Sequence, residues 1–110
     1  MKPYTIQITP EAENDLEKLD NSSRAQVDKI IERVSLNPLP KNEGGYGKVL
    51  GNKGGYDLTG CCSIKLLKLG IRVVYKVIRE GSIMRIIIVA AREDDEVYRL
   101  AARRLQARGI

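Results

Sequence analysis

The chain has no histidine and only two cysteines among its 110 residues. Without histidine no side chain ordinarily titrates near neutral pH, so Ser–His and Cys–His nucleophile systems and two-histidine ribonuclease schemes are excluded. The same absence removes the common zinc-ligand spacings, and the adjacency of Cys61 and Cys62 puts the usual disulfide geometry out of reach. Such a pair is either a redox or soft-metal site or two small strand residues; free cysteine ordinarily packs as a small hydrophobe, which is the preferred reading. No metal and no cofactor is expected. Also missing is any apolar run of about 18 residues or an apolar core near the amino terminus (MKPYTIQITPEAEND). A cytoplasmic chain without membrane contact is therefore the default expectation.

What is present is positive charge, unevenly spread. The net charge is +5, yet residues 1–36 sum to −2 and residues 37–110 to +7. A cationic carboxy-terminal two thirds suggests a polyanionic partner, nucleic acid first. The length suits one domain spanning residues 1–110.

Element signals follow in order. Tyr4–Ile8 alternates and predicts a short strand. Thr9-Pro10-Glu11 supplies an N-cap, a first-turn proline and an acid, so a helix starts there and should stop near Asp20-Asn21. A second helix from Ser22-Ser23 carries Val27, Ile30, Ile31 and Val34 at helical spacing and ends at Asn37-Pro38. Together they predict an antiparallel helical hairpin. Residues 41–60 hold seven of the ten glycines without any phosphate-loop spacing, and read as a flexible connection. Three β-rich runs then follow, Cys61–Leu67, Ile71–Ile78 and Ile83–Ala90, split by short turns. Glu93-Asp94-Asp95-Glu96 opens a last helix, where the macrodipole favours acids over the alternative of a metal site. The expected fold is α+β, in the order β-α-α-β-β-β-α, with an antiparallel twisted sheet, a helical hairpin on one face and an exposed cationic face.

Turn lengths set the register. With Lys68-Leu69 and Glu80-Gly81 as the two loops, Lys65 opposes Arg72, Ser63 opposes Val74, and Lys76 opposes Arg85. One face then gathers Ile64, Leu66, Ile71, Val73, Tyr75, Val77, Met84, Ile86, Ile88 and Ala90. The other gathers Ser63, Lys65, Arg72, Val74, Lys76, Arg85, Ile87 and Val89, with no carboxylate in the stretch IKLLKLGIRVVYKV. Like charges directly opposed destabilise a sheet, and such violations cluster at functional sites. They also occur where long cationic side chains simply reach water. On these residues alone both readings stand.

A crowded cationic face can cut RNA, because the substrate brings its own nucleophile, the 2′-hydroxyl. Arginines hold the phosphate oxygens, each well-placed donor being worth about 3–4 kcal/mol. A lysine can serve as the base, and Tyr98 can stack on a nucleobase or assist proton transfer. DNA lacks the hydroxyl and would be bound without being cut this way.

The element order, together with I-K-L, G-x-R-x-V-Y-x-V, V-x-x-R and E-V-Y within residues 64–98, resembles the RelE branch of the RelE/ParE toxins of type II toxin–antitoxin pairs. The resemblance spans nearly the whole chain. It implies an endoribonuclease that cuts messenger RNA in the ribosomal A site and leaves a 2′,3′-cyclic phosphate. It implies catalytic roles for Lys65 in proton transfer, Arg72 at the phosphate, Arg92 near the leaving oxygen and Tyr98 at the nucleophile. Ser63 and Leu67 stand where RelE carries a lysine and an arginine. Lys68, Lys76, Arg85 and Ser63 are the expected RNA-binding neighbours. The implied partners are a cognate antitoxin, messenger RNA and the ribosome. A ParE-like inhibitor of DNA gyrase without a nuclease site, and a non-catalytic RNA-binding or ribosome-binding relative, are the competing readings.

Overall fold

Thr9 starts the first helix as its sequence implies. Its hydroxyl accepts from the Ala12 amide at 3.2 Å and donates to the Ile86 carbonyl at 3.0 Å, so the cap also ties the helix start to the sheet. In the computed structural model, which describes residues 2–91 and 93–108, strand β1 (Thr5–Ile8) leads into helix α1 (Pro10–Glu17). Helix α2 (Asn21–Ser35) follows after Asp20, whose carboxylate caps it by accepting from the Ser23 amide at 2.7 Å. The chain then runs through β2 (Lys48–Lys53), β3 (Tyr56–Leu66), β4 (Ile71–Ile78) and β5 (Ile83–Ala90) to helix α3 (Asp94–Arg108). No helix among the described residues is long and apolar enough to cross a membrane.

The sheet order is β1-β5-β4-β3-β2, with β1 parallel to β5 and every other pair antiparallel. The expected antiparallel sheet is found from β2 to β5, and β1 joins it in parallel at one edge. Reading residues 41–60 as a flexible connection is corrected, since Lys48–Lys53 and Tyr56–Gly60 are strand. The glycines serve local geometry instead. A side chain at Gly47 would collide with the Tyr75 hydroxyl and come within 2.9 Å of Cys62 Sγ. That hydroxyl donates to the Pro38 carbonyl at 2.7 Å and pins the segment after α2 against the sheet.

The expected registers hold across β3 and β4, where Lys65 opposes Arg72 and Ser63 opposes Val74, and at Lys76 opposite Arg85. Between β4 and β5 the register then shifts by one residue: Tyr75 pairs Ile86, but Val74 pairs Ile88. Ile87 is the extra residue of a β-bulge, which two turn lengths could not reveal. Beyond it the faces exchange. Val89 packs with the core under α1 and α2, whereas Ile88 and Ala90 join Ile87 on the other side.

That other side is not open. Helix α3 covers it with Val97, Tyr98, Ala101 and Leu105, packed on Leu50, Leu58, Cys61, Val74, Ile87 and Ile88. The exposed cationic face reduces to the parts α3 leaves uncovered. The sequence offered both apolar sets but not their contact, because periodicity within an element does not say which face it meets.

Candidate functional site

Lys65 and Arg72 lie where β3 and β4 approach their connecting turn, directly opposed on the face that meets α3. Two cations held side by side need an anion, and the first turn of α3 supplies it. Lys65 Nζ donates to Asp94 Oδ2 at 3.0 Å, and Arg72 Nε donates to Asp94 Oδ1. One carboxylate therefore spans both cations, one oxygen to each. The hydrogen bond from Lys65, joined by that from Arg72, holds the Asp94 carboxyl below its ordinary value against the opposing cost of burial. The like-charge opposition that looked uncompensated in the strands is offset from another element.

Asp94 was missed in the sequence because its acidic run reads as helix-terminal charge. A signal was available: the turn lengths set Arg72 opposite Val89, near the end of the last strand, so the residues just after that strand arrive beside Arg72.

Tyr98 follows Asp94 by four residues, hence on the same face of α3 one turn on, and its ring is buried in the core beneath that helix. Arg92, the remaining expected catalytic residue, lies outside the described residues. Lys68 sits exposed in the turn beside the pair. Lys76 and Arg85 oppose each other four residues farther along β4, roughly 13 Å from Arg72 at strand spacing. Arg85 there donates to the Gln7 side chain. The structure thus brings Lys65 and Arg72 together and sets Lys76 and Arg85 apart from them. Ser63 is corrected outright: it is buried, and its hydroxyl has no hydrogen-bond partner, so it offers nothing to an RNA surface.

Lys65 also borders a cleft of about 530 Å³, lined with Leu66 and with Gln26, Lys29, Ile30 and Arg33 of α2. Two of its cations come from the amino-terminal, net-acidic part of the chain, which the bulk charge count had set aside.

The vicinal cysteines diverge as strand neighbours do. Cys61 packs beneath α3 and Cys62 beneath the helical hairpin, both free and buried. Burial pushes the Cys61 thiol up to about 12, far from a neutral-pH nucleophile. They are small core residues on opposite faces, as the preferred reading of the pair has it.

Far from this site, α3 is held by ionic contacts at its other end. Arg104 donates to Asp15 of α1 at 2.7 Å and to the carbonyl of the bulge residue Ile87 at 2.9 Å, while Asp15 also accepts from the Val89 amide at 3.0 Å. Arg108 reaches Glu11.

Residues 6–96 match the family described as ParE toxin of type II toxin–antitoxin system, parDE. A putative RelE-like toxin protein of Escherichia coli is 32% identical over 104 residues, covering 94% of this chain and 98% of that protein. Among solved structures, an arginine-to-alanine double mutant of E. coli toxin RelE in the free state superposes with a TM-score of 0.73 at 28% identity, covering 94% of this chain and 99% of that one. The toxin–antitoxin complex RelBE2 of Mycobacterium tuberculosis gives a TM-score of 0.67 at 29% identity, over 86% of this chain and 97% of that one. The intact E. coli RelBE complex gives 0.64 at 28% identity, over 82% and 98%.

Proposed function

The chain belongs to the RelE/ParE superfamily of type II toxin–antitoxin toxins, and on that premise we propose that it is a ribosome-dependent endoribonuclease cutting messenger RNA in the A site. The observation that carries this reading is the convergence of Lys65 and Arg72 on the two oxygens of one carboxylate. Two cations aimed at two oxygens that share one negative charge form the receptor a phosphodiester requires.

In the reaction the substrate's 2′-hydroxyl attacks the adjacent phosphorus and the 5′-oxygen leaves, giving a 2′,3′-cyclic phosphate. Arg72 holds the non-bridging oxygens and stabilises the charge that gathers there. Lys65 stands as a donor to Asp94 in the resting arrangement, and its part in moving the 2′-hydroxyl proton begins once that contact is released. The family resemblance assigns Tyr98 to the nucleophile, although its ring is buried beneath α3, and Arg92 to the leaving oxygen. Lys68 at the turn, with Lys29 and Arg33 across the cleft, tracks flanking phosphates. Lys76 and Arg85, farther along the sheet, are assigned to more distant backbone. The reaction runs in the cytoplasm, where translating ribosomes are.

Two of these similar solved structures are RelBE toxin–antitoxin complexes, which supports a cognate antitoxin as the partner of this chain as well. A cationic site of this kind favours a complementary acidic segment. The ParE name of the matched family keeps a second reading in view: a gyrase inhibitor without nuclease activity.

Induced expression followed by primer extension on a cellular transcript separates the two. Cleavage within codons is expected for the wild type, with a loss of about 100-fold or more in rate for Arg72→Ala and for Arg92→Ala. Intact messages accompanied by altered DNA supercoiling would replace the nuclease reading with the ParE-like one.

A further inference from the structure

The Asp94 carboxylate does more than balance charge. It occupies the place between Lys65 and Arg72 that the proposed function reserves for a phosphate. We propose that Asp94 is an internal stand-in for the substrate phosphate, so that RNA enters the site only by displacing the carboxylate. This rests on the ribonuclease reading for its substrate and on the geometry alone for its mechanism.

Three observations converge. The carboxylate engages both cations at once, one oxygen each, so a phosphate oxygen cannot approach either without meeting a like charge. The Asp94 side chain remains 42% exposed while those of Lys65 and Arg72 are 29% and 23% exposed. It can therefore turn outward into water by side-chain rotation, leaving the two cations where the strands hold them. The anchors of α3 to Asp15 and Glu11 start ten residues later, roughly 15 Å along the helix, so releasing Asp94 need not undock the helix.

The exchange is nearly neutral in charge: one bidentate anion leaves and another arrives. Its consequence is a threshold. An isolated phosphate gains little, whereas an RNA held by many other contacts, as on the ribosome, can repay the displacement. The site is thus closed to stray anions and opened by a substrate presented in place.

The test compares the wild type with Asp94→Asn and with Asp95→Asn, which removes the same charge from the same helical turn at an exposed position. The probe is a short RNA with 2′-O-methyl groups, which cannot be cut, and its affinity is measured by fluorescence anisotropy over a salt series. Asp94→Asn should tighten binding by about tenfold and steepen the log–log salt slope by roughly 0.7, the signature of one more phosphate neutralised, while Asp95→Asn changes little. In ribosome-bound cleavage, Asp94→Asn should lower KM and keep kcat. Unchanged or weaker binding, or equal gains in both variants, would overturn the proposal. A collapse of kcat at unchanged affinity would overturn it as well, making Asp94 a positioning residue for Lys65 and Arg72. If wild type and variant both leave messages intact while Asp94→Asn alone binds the probe more tightly, the nuclease reading falls and the stand-in survives.

Discussion

Beneath α1 and α2 the sheet presents Val73, Tyr75, Met84, Ile86 and Val89, packed on Ala12, Leu16, Val27, Ile31 and Val34, and the buried Thr9 and Tyr75 hydroxyls there donate to backbone carbonyls. Beneath α3 it presents a second apolar patch bordered by the Lys65–Asp94–Arg72 cluster and the Arg104–Asp15 pair, with the unpartnered Ser63 hydroxyl enclosed. The first face is a conventional hydrophobic layer. The second combines burial with charge, and its charged border is where the family chemistry is expected. The contrast separates stability from function: a helix needed to complete the core also delivers the anion that occupies the site.

Substitutions can break this contrast, in decreasing order of effect. Leu16 is fully buried on the hairpin face, so Leu16→Ala should cost about 3–4 kcal/mol by urea unfolding while leaving RNA affinity of the folded protein unchanged. A loss of affinity in the folded variant would mean that the two faces are not independent.

The joint between the faces comes next. Asp15 accepts from Arg104 and from the Val89 amide, with side-chain exposure of 12% and 22% for the ion pair. Asp15→Ala strands a mostly enclosed guanidinium and a strand amide, and about 2–3 kcal/mol should be lost. Hydrogen exchange should show the loss concentrated in α3 and the bulge region of β5; uniform loosening would argue that α3 is not separately fastened.

The smallest effect sharpens the comparison most. Ser63→Ala removes an unpaired buried hydroxyl, so stability should stay within about 1 kcal/mol of the wild type or rise. RNA affinity should not change. A marked fall in affinity would restore Ser63 to the binding surface from which burial has removed it.

Much of this arrangement was legible beforehand because its rules are local. Thr9-Pro10 announces a helix start through cap chemistry, and Val27, Ile30, Ile31 and Val34 announce a buried stripe through spacing. The opposition of Lys65 and Arg72 followed from centring the turn on Lys68-Leu69, a centre that the longer turn of residues 67–70 keeps, and with it the register. Where reasoning failed, the deciding contact was remote. The bulge at Ile87 depends on the Arg104 guanidinium that takes its carbonyl and on the Asp15 carboxylate that takes the next free amide. The strands in residues 48–60 pair along β3, which glycine content obscured.

The sequence by itself determined the menu: no histidine chemistry, a basic surface, a helical hairpin, and two cations brought face to face by a short turn. Only the tertiary structure decided what those cations meet. Covalent neighbours are set by order in the chain, but the neutralising carboxylate is 29 residues from Lys65 and 22 from Arg72, and docking of α3 on the sheet is what brings it within hydrogen-bonding reach.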